Sequence, residues 1–498
     1  MIAIRIKDSA NKFIVHTYLL VILDTVLSNS FKRRSDLLHL SNAVTFFYRK
    51  IICLARHSLR SIKWPAAWVC LVFFGFPDLS CSEETDFQYF TASGQSTGIW
   101  QKHSGFSAPY SGPSSLSSDP EIGYTISATL FLGARPWKGT EFFLDPEIAS
   151  GVPFSGLRGF AGVPNGESQK AGSVEPINYV ARAFLRQTFG FGGGEVEQAP
   201  GFNIFGGTVD RRRLVVTAGI YAITDIFDQN AYAHDPRTQF MNWAFMDYGA
   251  WDMPADARGY TRGVAVEYYD DNWAFRAGRN LLPAESNGLA LNSNITQSYS
   301  DNFEIERAHE IMGQPGKLRA LLFRNRASFG NFNDAVAYGQ AAGIAPVFDN
   351  SRSDQVKYGF GVSLEQAITK DIGLFGRYSW NNGQTEAYSF TDMNNSITAG
   401  LSIKGTSWTR PDDVVGIAVA SNGISDANIN FLKAGGSDYF CGDGDLNYGR
   451  ENIGEIYYSV KVTDFLWATL DYQRINNPCY NKDRGPTNVY SVRAHLEF

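Results

Sequence analysis

From residue 88 to the C-terminus, apolar and polar side chains alternate in short segments. Tyr124, Ile126, Ala128, Leu130 and Leu132 alternate with Thr125, Ser127, Thr129, Phe131 and Gly133. Tyr358, Phe360, Val362 and Leu364 alternate with Gly359, Gly361, Ser363 and Glu365. The same pattern runs through Ile397, Ala399, Leu401 and Ile403, and through Ile456, Tyr458, Val460 and Val462, where Glu455 and Lys461 fall on the polar side. At the C-terminus, Tyr490, Val492, Ala494, Leu496 and Phe498 form one face, and Ser491, Arg493, His495 and Glu497 the other. A period of two marks a strand whose faces meet different solvents. Segments of about 9–12 residues suit a strand that crosses a bilayer at a steep tilt.

The connections alternate as well. Short turns at Pro136–Gly139, Tyr269–Asn272, Gly313–Gly316, Ala367–Asp371 and Thr463–Asp464 separate long loops at 101–122, 149–176, 223–258, 281–301, 326–355, 382–394, 422–452 and 475–486. A transmembrane barrel has short turns on its periplasmic side and long loops outside. A soluble sandwich or propeller requires no such alternation. Counting back from Phe498 predicts an all-β transmembrane antiparallel barrel of about sixteen strands, with both termini periplasmic. Residues 190–212 break the rule, being long where a short turn is due.

Composition narrows the class. The chain has 498 residues, of which 19% are charged, and its mean hydropathy is −0.20. That is too polar for a bundle of membrane helices, each needing about 20 apolar residues in a row. Residues 1–82 hold 11 basic and 4 acidic side chains, which leaves 33 and 46 of the chain's 44 and 50 for the body. An acidic body without a basic patch argues against a nucleic-acid partner. Only Cys441 and Cys479 lie in the body, and no CxxC spacing suggests a metal site. No metal or cofactor is expected.

The N-terminal region carries Arg56, Arg60 and Lys63 before an apolar core at 66–76, then Pro77, Ser80 and Cys81. This is the plan of a signal peptide. A signal should begin near residue 1. Residues 1–54 are therefore expected to be an upstream extension from too early a start, 55–82 the signal peptide, and 83–498 a single barrel domain. No methionine occurs between Met1 and Met241, so the expected start is an alternative codon at Leu54 or Leu59.

Several strings carry a resemblance. TDIFDQNAYAHDPRTQFMNWA (224–244), FSAPYSG (106–112), GVPNG (162–166), WDMPADARGY (251–260) and DRGP (483–486) resemble the OprB-type carbohydrate-selective porins of Gram-negative outer membranes. The resemblance spans about residues 86–498. It implies a sixteen-stranded barrel that passes sugars and other small polar solutes by passive diffusion. It also implies that Phe498 is an assembly signal, read by the barrel-assembly machinery through the last strand. Cys441 and Cys479 depart from the family pattern. The implied partners are small sugars and outer-membrane lipid; a monomer and a trimer both fit the apolar outer positions.

Selectivity in such a channel comes from pore radius, wall charge and groups that replace hydration. Glu141, Phe143, Asp145 and Glu147 share one face, opposite Phe142 and Leu144. On the next strand Arg182, Phe184, Arg186 and Thr188 share a face, opposite Ala181, Ala183 and Leu185. An acidic row beside a basic row sets a transverse field and offers acceptors and bidentate donors to sugar hydroxyls. The same charges could simply pair across strands and hold the wall. The loop at 223–258, with Asp228, His234, Asp235, Arg237, Trp243, Trp251, Asp252 and Arg258, is the candidate for a segment entering the pore. An external cap is its alternative. Cys441 and Cys479 fall in the last two external loops, in an oxidising compartment, and are expected to form a disulfide. Two other classes compete with the channel: a structural or adhesive barrel that transports nothing, and a barrel hydrolase. No GxSxG elbow or Ser/His/Asp set supports the hydrolase.

Overall fold

The computed structural model describes residues 87–498. The extension and signal-peptide assignments at 1–82 lie outside the described residues. Eighteen strands follow in chain order. They are β1 (Phe90–His103), β2 (Glu121–Trp137), β3 (Thr140–Val152), β4 (Ile177–Gly190), β5 (Glu195–Gln198), β6 (Gly207–Asp210), β7 (Arg213–Tyr221), β8 (Thr261–Asp270) and β9 (Trp273–Asn280). Then come β10 (Tyr299–Ile311), β11 (Gln314–Gly330), β12 (Arg352–Ala367), β13 (Ile372–Asn381), β14 (Asn395–Gly405), β15 (Arg410–Gly423), β16 (Glu451–Thr463), β17 (Leu466–Asn476) and β18 (Thr487–Glu497). Sixteen of them form one closed antiparallel barrel. Chain neighbours pair throughout, except that β4 pairs with β7 and β18 closes on β1.

The faces divide as the alternation predicts. Leu322, Val419 and Leu470 point outward and are 60–65% exposed, while inward Thr129, Ser379 and Thr398 are 1–3% exposed. A surface that shows its apolar side chains and hides its polar ones is built for lipid. Among the described residues no helix is long and apolar enough to cross a membrane. Strands do the crossing. Turns at the periplasmic end are tight where glycine permits a left-handed backbone, as at Gly139 (φ 86°) between β2 and β3.

Two departures from the sequence reading have local causes. Residues 190–212 form a separate hairpin of β5 and β6 in place of a turn. In the β3–β4 pairing, the register shifts between Asp145 and Pro146, so that Arg182 opposes Asp145 and Val180 opposes Pro146. Ala181 is the extra residue of that bulge. It was expected opposite Arg182. Instead it is buried against Ala222 and Tyr260 on the inner side.

The barrel is filled from within. The connection between β7 and β8 carries a short helix α1 (Trp243–Met246), and its Phe227, Phe240, Trp243, Phe245, Tyr248 and Trp251 belong to one large apolar cluster. Two further helices cap long connections: α2 (Phe332–Ala342) and α3 (Asp426–Lys433). Asn331 caps α2 by accepting from the backbone N–H groups of Asn333 and Asp334, and Gly343 (φ 67°) ends it. Cys441 and Cys479 are joined by a disulfide with Cα atoms 5.4 Å apart, which ties the last two long loops.

Candidate functional site: the loop-filled lumen

The connection between β7 and β8 crosses the lumen and is gripped by the wall on all sides. Inward carboxylates take its backbone N–H groups. Glu304 of β10 accepts from Asp228 (2.9 Å), Glu365 of β12 from Ala231 (2.8 Å), and Glu455 of β16 from Met241 (2.6 Å) and Asn242 (3.1 Å). Inward arginines take its carbonyls. Arg377 of β13 donates to Phe245 O (3.0 Å) and Ala233 O (2.5 Å), and Arg493 of β18 to Pro236 O (2.8 Å) and Gln239 O (2.7 Å). Charged partners of this kind satisfy loop backbone that lies away from bulk water. The loop is therefore a fixed inner element. None of these wall partners was singled out from sequence, although Glu365, Glu455 and Arg493 stood on the polar faces of their strands.

The loop residues named from sequence divide between anchoring and display. Asp228 is buried and accepts from Arg377 Nε at 2.8 Å. Arg237 bridges two buried carboxylates, Glu147 (2.8 Å) and Glu167 (2.9 Å), and also donates to Thr129. Asp235 turns its carboxylate back onto Arg237 N–H (2.9 Å) and the Thr238 hydroxyl (3.1 Å). Asp252 faces outward to the 382–394 loop, accepting from the N–H groups of Tyr388 and Ser389 and lying 3.2 Å from Lys357 Nζ. Burial holds the His234 imidazole below its ordinary range. Arg258 lies over the Tyr179 ring at 4.4 Å. Gln229, Tyr232, His234, Asp235, Thr238 and Gln239 are half-buried, so one edge of the loop stays open.

The acidic and basic rows lie side by side. Glu141 opposes Arg186, Phe143 opposes Phe184, and Asp145 opposes Arg182. They are not equally open. The Asp145 and Glu147 side chains have no exposed surface, and Phe143 and Phe184 are buried, because the loop and the 190–212 hairpin cover them. Arg182 and Arg186 keep 16% and 21% of their side-chain surface. Arg186 lies 3.4 Å from Glu141. Arg182 makes a bidentate pair with Asp225, both bonds 2.6 Å, and lies over the Tyr260 ring at 5.5 Å. Lys170 adds a cation 3.2 Å from Glu167. Burial works to raise the Asp225 carboxyl, but the Arg182 guanidinium outweighs it and holds the group below the usual range. Glu167 is likewise held down by Arg237 and Lys170 against the effect of burial.

The partly open groups thus cluster on one side of the lumen: Lys170, Arg182, Arg186, Asp225 and Arg258, with the ring of Tyr179, while Tyr260 is buried behind Arg182. Such a wall binds neutral polyhydroxyl solutes by exchanging their water for fixed donors and acceptors. Sequence reasoning missed Lys170, Asp225 and Tyr260, which lie on connections or at a strand start, outside any alternating segment. Among the described residues, no group of three or more His, Cys, Asp or Glu side chains is placed to hold a metal ion.

Comparison with known proteins places this architecture. The solved structure of OprB from Pseudomonas putida, determined at high pH, superimposes with a TM-score of 0.62 at 18% identity, covering 82% of this chain and 94% of that one. The outer-membrane channel DcaP of Acinetobacter baumannii aligns over 82% of this chain and 97% of its own, at 10% identity and a TM-score of 0.45. No curated protein sequence matches the chain. The family model for the carbohydrate-selective porin, OprB family, matches residues 115–498. With its closed sixteen-stranded barrel and occupied lumen, the chain belongs to the OprB family of carbohydrate-selective porins, diffusion channels for carbohydrates in the outer membrane.

Proposed function

We propose that small sugars of about monosaccharide size pass through the lumen between the open edge of the inner loop and the β4 side of the wall. The observation that carries this is the Arg182–Asp225 pair. It is bidentate, partly open, and backed by the Tyr260 ring. A guanidinium and a carboxylate fixed on each other present outward donors and acceptors at constant spacing, and the buried Tyr260 ring behind the guanidinium holds it in place. Lys170, Arg186 and Arg258 extend the donor surface. Because each cation has an anion or an aromatic face nearby, the wall favours neutral polar solutes over ions of either sign. Passage is passive and the chain does no chemistry on its solute. Export to the outer membrane uses the signal at residues 55–82.

Liposome swelling with sugars of graded size, run beside charged solutes, tests this. Uptake should fall steeply with sugar size. Arg182→Ala and Arg186→Ala should together slow monosaccharide uptake by about threefold, as expected for loss of groups that replace hydration. Unchanged sugar flux and unchanged conductance in both variants would remove these residues from the path.

A further inference from the structure

The 190–212 hairpin has two parts with different surroundings. Its stalk, β5 and β6, is water-exposed, with Glu195, Val196, Glu197, Gly207 and Thr208 all open. Its tip, residues 200–206, is turned into the lumen. Phe202 stacks on the inward Phe131 ring of β2 at 4.3 Å. Asn203 donates its side-chain amide to the inward Asp145 of β3 at 2.6 Å, and its carbonyl accepts from Arg186 of β4 at 2.8 Å. Phe205 is buried beside Phe143, at 5.7 Å between ring centroids, and beneath the Arg135 guanidinium at 4.7 Å. Ile204, between these anchors, is 37% exposed. The tip therefore thickens the wall along β2, β3 and β4.

Its place along the barrel axis is set by the turn beside it. β4 runs down to the end where β2 and β3 turn at Lys138–Gly139, and Thr188 N–H donates to Gly139 O at 2.7 Å. That is the end of the barrel where both β1 begins and β18 finishes. The inner loop, by contrast, enters from the opposite end, after β7. Two separate segments thus narrow one lumen from its two mouths. They meet the same wall side chains: Asp145 faces Asn203 of the tip and lies 3.7 Å from Arg182, which is held by Asp225 of the inner loop.

The base of the hairpin is a glycine turn out of β4, closed by Phe191 N–H to Arg212 O (2.9 Å) and Arg212 N–H to Gly192 O (3.0 Å). Gly192, Gly193 and Gly194 are consecutive, with φ of 76°, 82° and 91°. Three left-handed glycines at the point where the stalk leaves β4 give the chain freedom that no other residue type allows. A turn that only had to join β4 to β7 would need a few residues, as the other periplasmic connections do.

We propose that the 200–206 tip is a second, size-selective constriction at the periplasmic mouth, in series with the inner loop, with Phe202, Asn203 and Phe205 as the residues that hold it in the path. This rests on the lumen being a sugar channel. Ile204 and the backbone of Gly201 then form the face that a leaving sugar meets. The tip is held to the barrel through side chains alone, since the backbone ladder of β4 runs to β3 and β7 and does not include it.

Two variants test it in planar bilayers and in liposome swelling with mono-, di- and trisaccharides. One replaces residues 192–211 by a two-residue Lys-Gly turn like that between β2 and β3. The other is Phe202→Ala, Asn203→Ala and Phe205→Ala combined, which frees the tip and leaves the barrel sequence intact. Heat-modifiable migration on gels identifies folded protein in each case. The opened channel should show about a doubling of conductance, and the disaccharide-to-monosaccharide uptake ratio should rise in the same variant. Either variant opening the channel supports the filter. Folded variants with wild-type conductance and a wild-type uptake ratio overturn it while leaving the channel reading in place. A merely structural hairpin would lower the urea midpoint without moving the ratio, which also overturns it. A wild-type protein that passed no sugar would overturn the channel reading and the filter together.

Discussion

Arg237 shows why single residues inside this barrel matter. The residue is 5% exposed, and its guanidinium is shared between Glu147 and Glu167, both buried. Removing it leaves Glu147 and Glu167 to share Lys170 alone, 3.9 and 3.2 Å away, so the cost should fall below the about 3–5 kcal/mol of a buried pair broken outright from one side. Arg237→Ala should therefore lower the urea midpoint of the folded protein and raise conductance noise as the inner loop loosens. Arg237→Lys should recover only part of the loss, because one ammonium cannot fork between two acceptors. A midpoint equal to wild type for Arg237→Ala would show that the loop is held elsewhere. Arg237, Asp228 and Asp235 were legible in the sequence because they are charges set among aromatics in a long connection. Their partners were not. Glu365 and Glu455 read only as polar members of alternating strands, Glu304 stood outside the segments read, and alternation reports which face a side chain takes, without saying what will meet it there.

At the scale of elements, the strands were readable and the segments that fill the barrel were harder to place. A strand advertises itself through its period. The 190–212 hairpin has only four-residue strands and a glycine-rich base, so its length was visible and its inward tip was not. The external loops carry a further consequence. Asp392 is buried, accepts from the N–H groups of Phe440 (3.0 Å) and Cys441 (3.1 Å), and has the buried Asp438 as its charged neighbour. Burial pushes its carboxyl up to about 7 from an ordinary 3.8. Asp438 is also raised, by burial first and by Asp392 next. A carboxyl raised in the folded state binds its proton more tightly there than when unfolded. Its contribution to stability is whole below about pH 4 and is lost as pH climbs through about 7. The loop cap should thus be firmer at pH 5 than at pH 8, seen as a higher urea midpoint of tryptophan fluorescence, and Asp438→Asn should flatten that difference. A pH-independent midpoint in the wild type would contradict it. The disulfide acts on the same cap. It closes a separation of 38 residues, for which chain entropy gives roughly 4 kcal/mol. Cys441→Ser with Cys479→Ser should speed proteolysis of the 424–450 and 477–486 loops. Single-channel conductance should stay near wild type, since neither cysteine touches the open wall.

For the whole molecule, closure is the property that the chain ends decide. Strand number was readable because alternation and loop length vary together, and both follow from one fact, a bilayer of fixed thickness crossed repeatedly. The seam needs more than number. β1 pairs with β18 from Gln95 opposite Glu497 to His103 opposite Val489. Phe498 adds one further rung, donating its N–H to Gly94 O (2.9 Å) and accepting from Gly94 N–H (2.7 Å). A side chain at position 94 would come within 2.5 Å of the Phe498 ring, so glycine there makes room for it. Arg493, on the same strand, holds the inner loop, so β18 both closes the barrel and locks its contents together. Deleting Phe498 removes two terminal backbone hydrogen bonds, each worth about 1 kcal/mol net, out of a ladder that runs the full length of the strand. Stability of protein already folded should then change little. If the terminal aromatic is the signal for assembly, yield should change much more. Deletion of Phe498 is therefore expected to cut the amount of heat-modifiable barrel in the outer membrane severalfold while moving the urea midpoint of the purified barrel only slightly. A large midpoint shift with normal yield would make Phe498 a structural latch of the seam and remove its role as a signal.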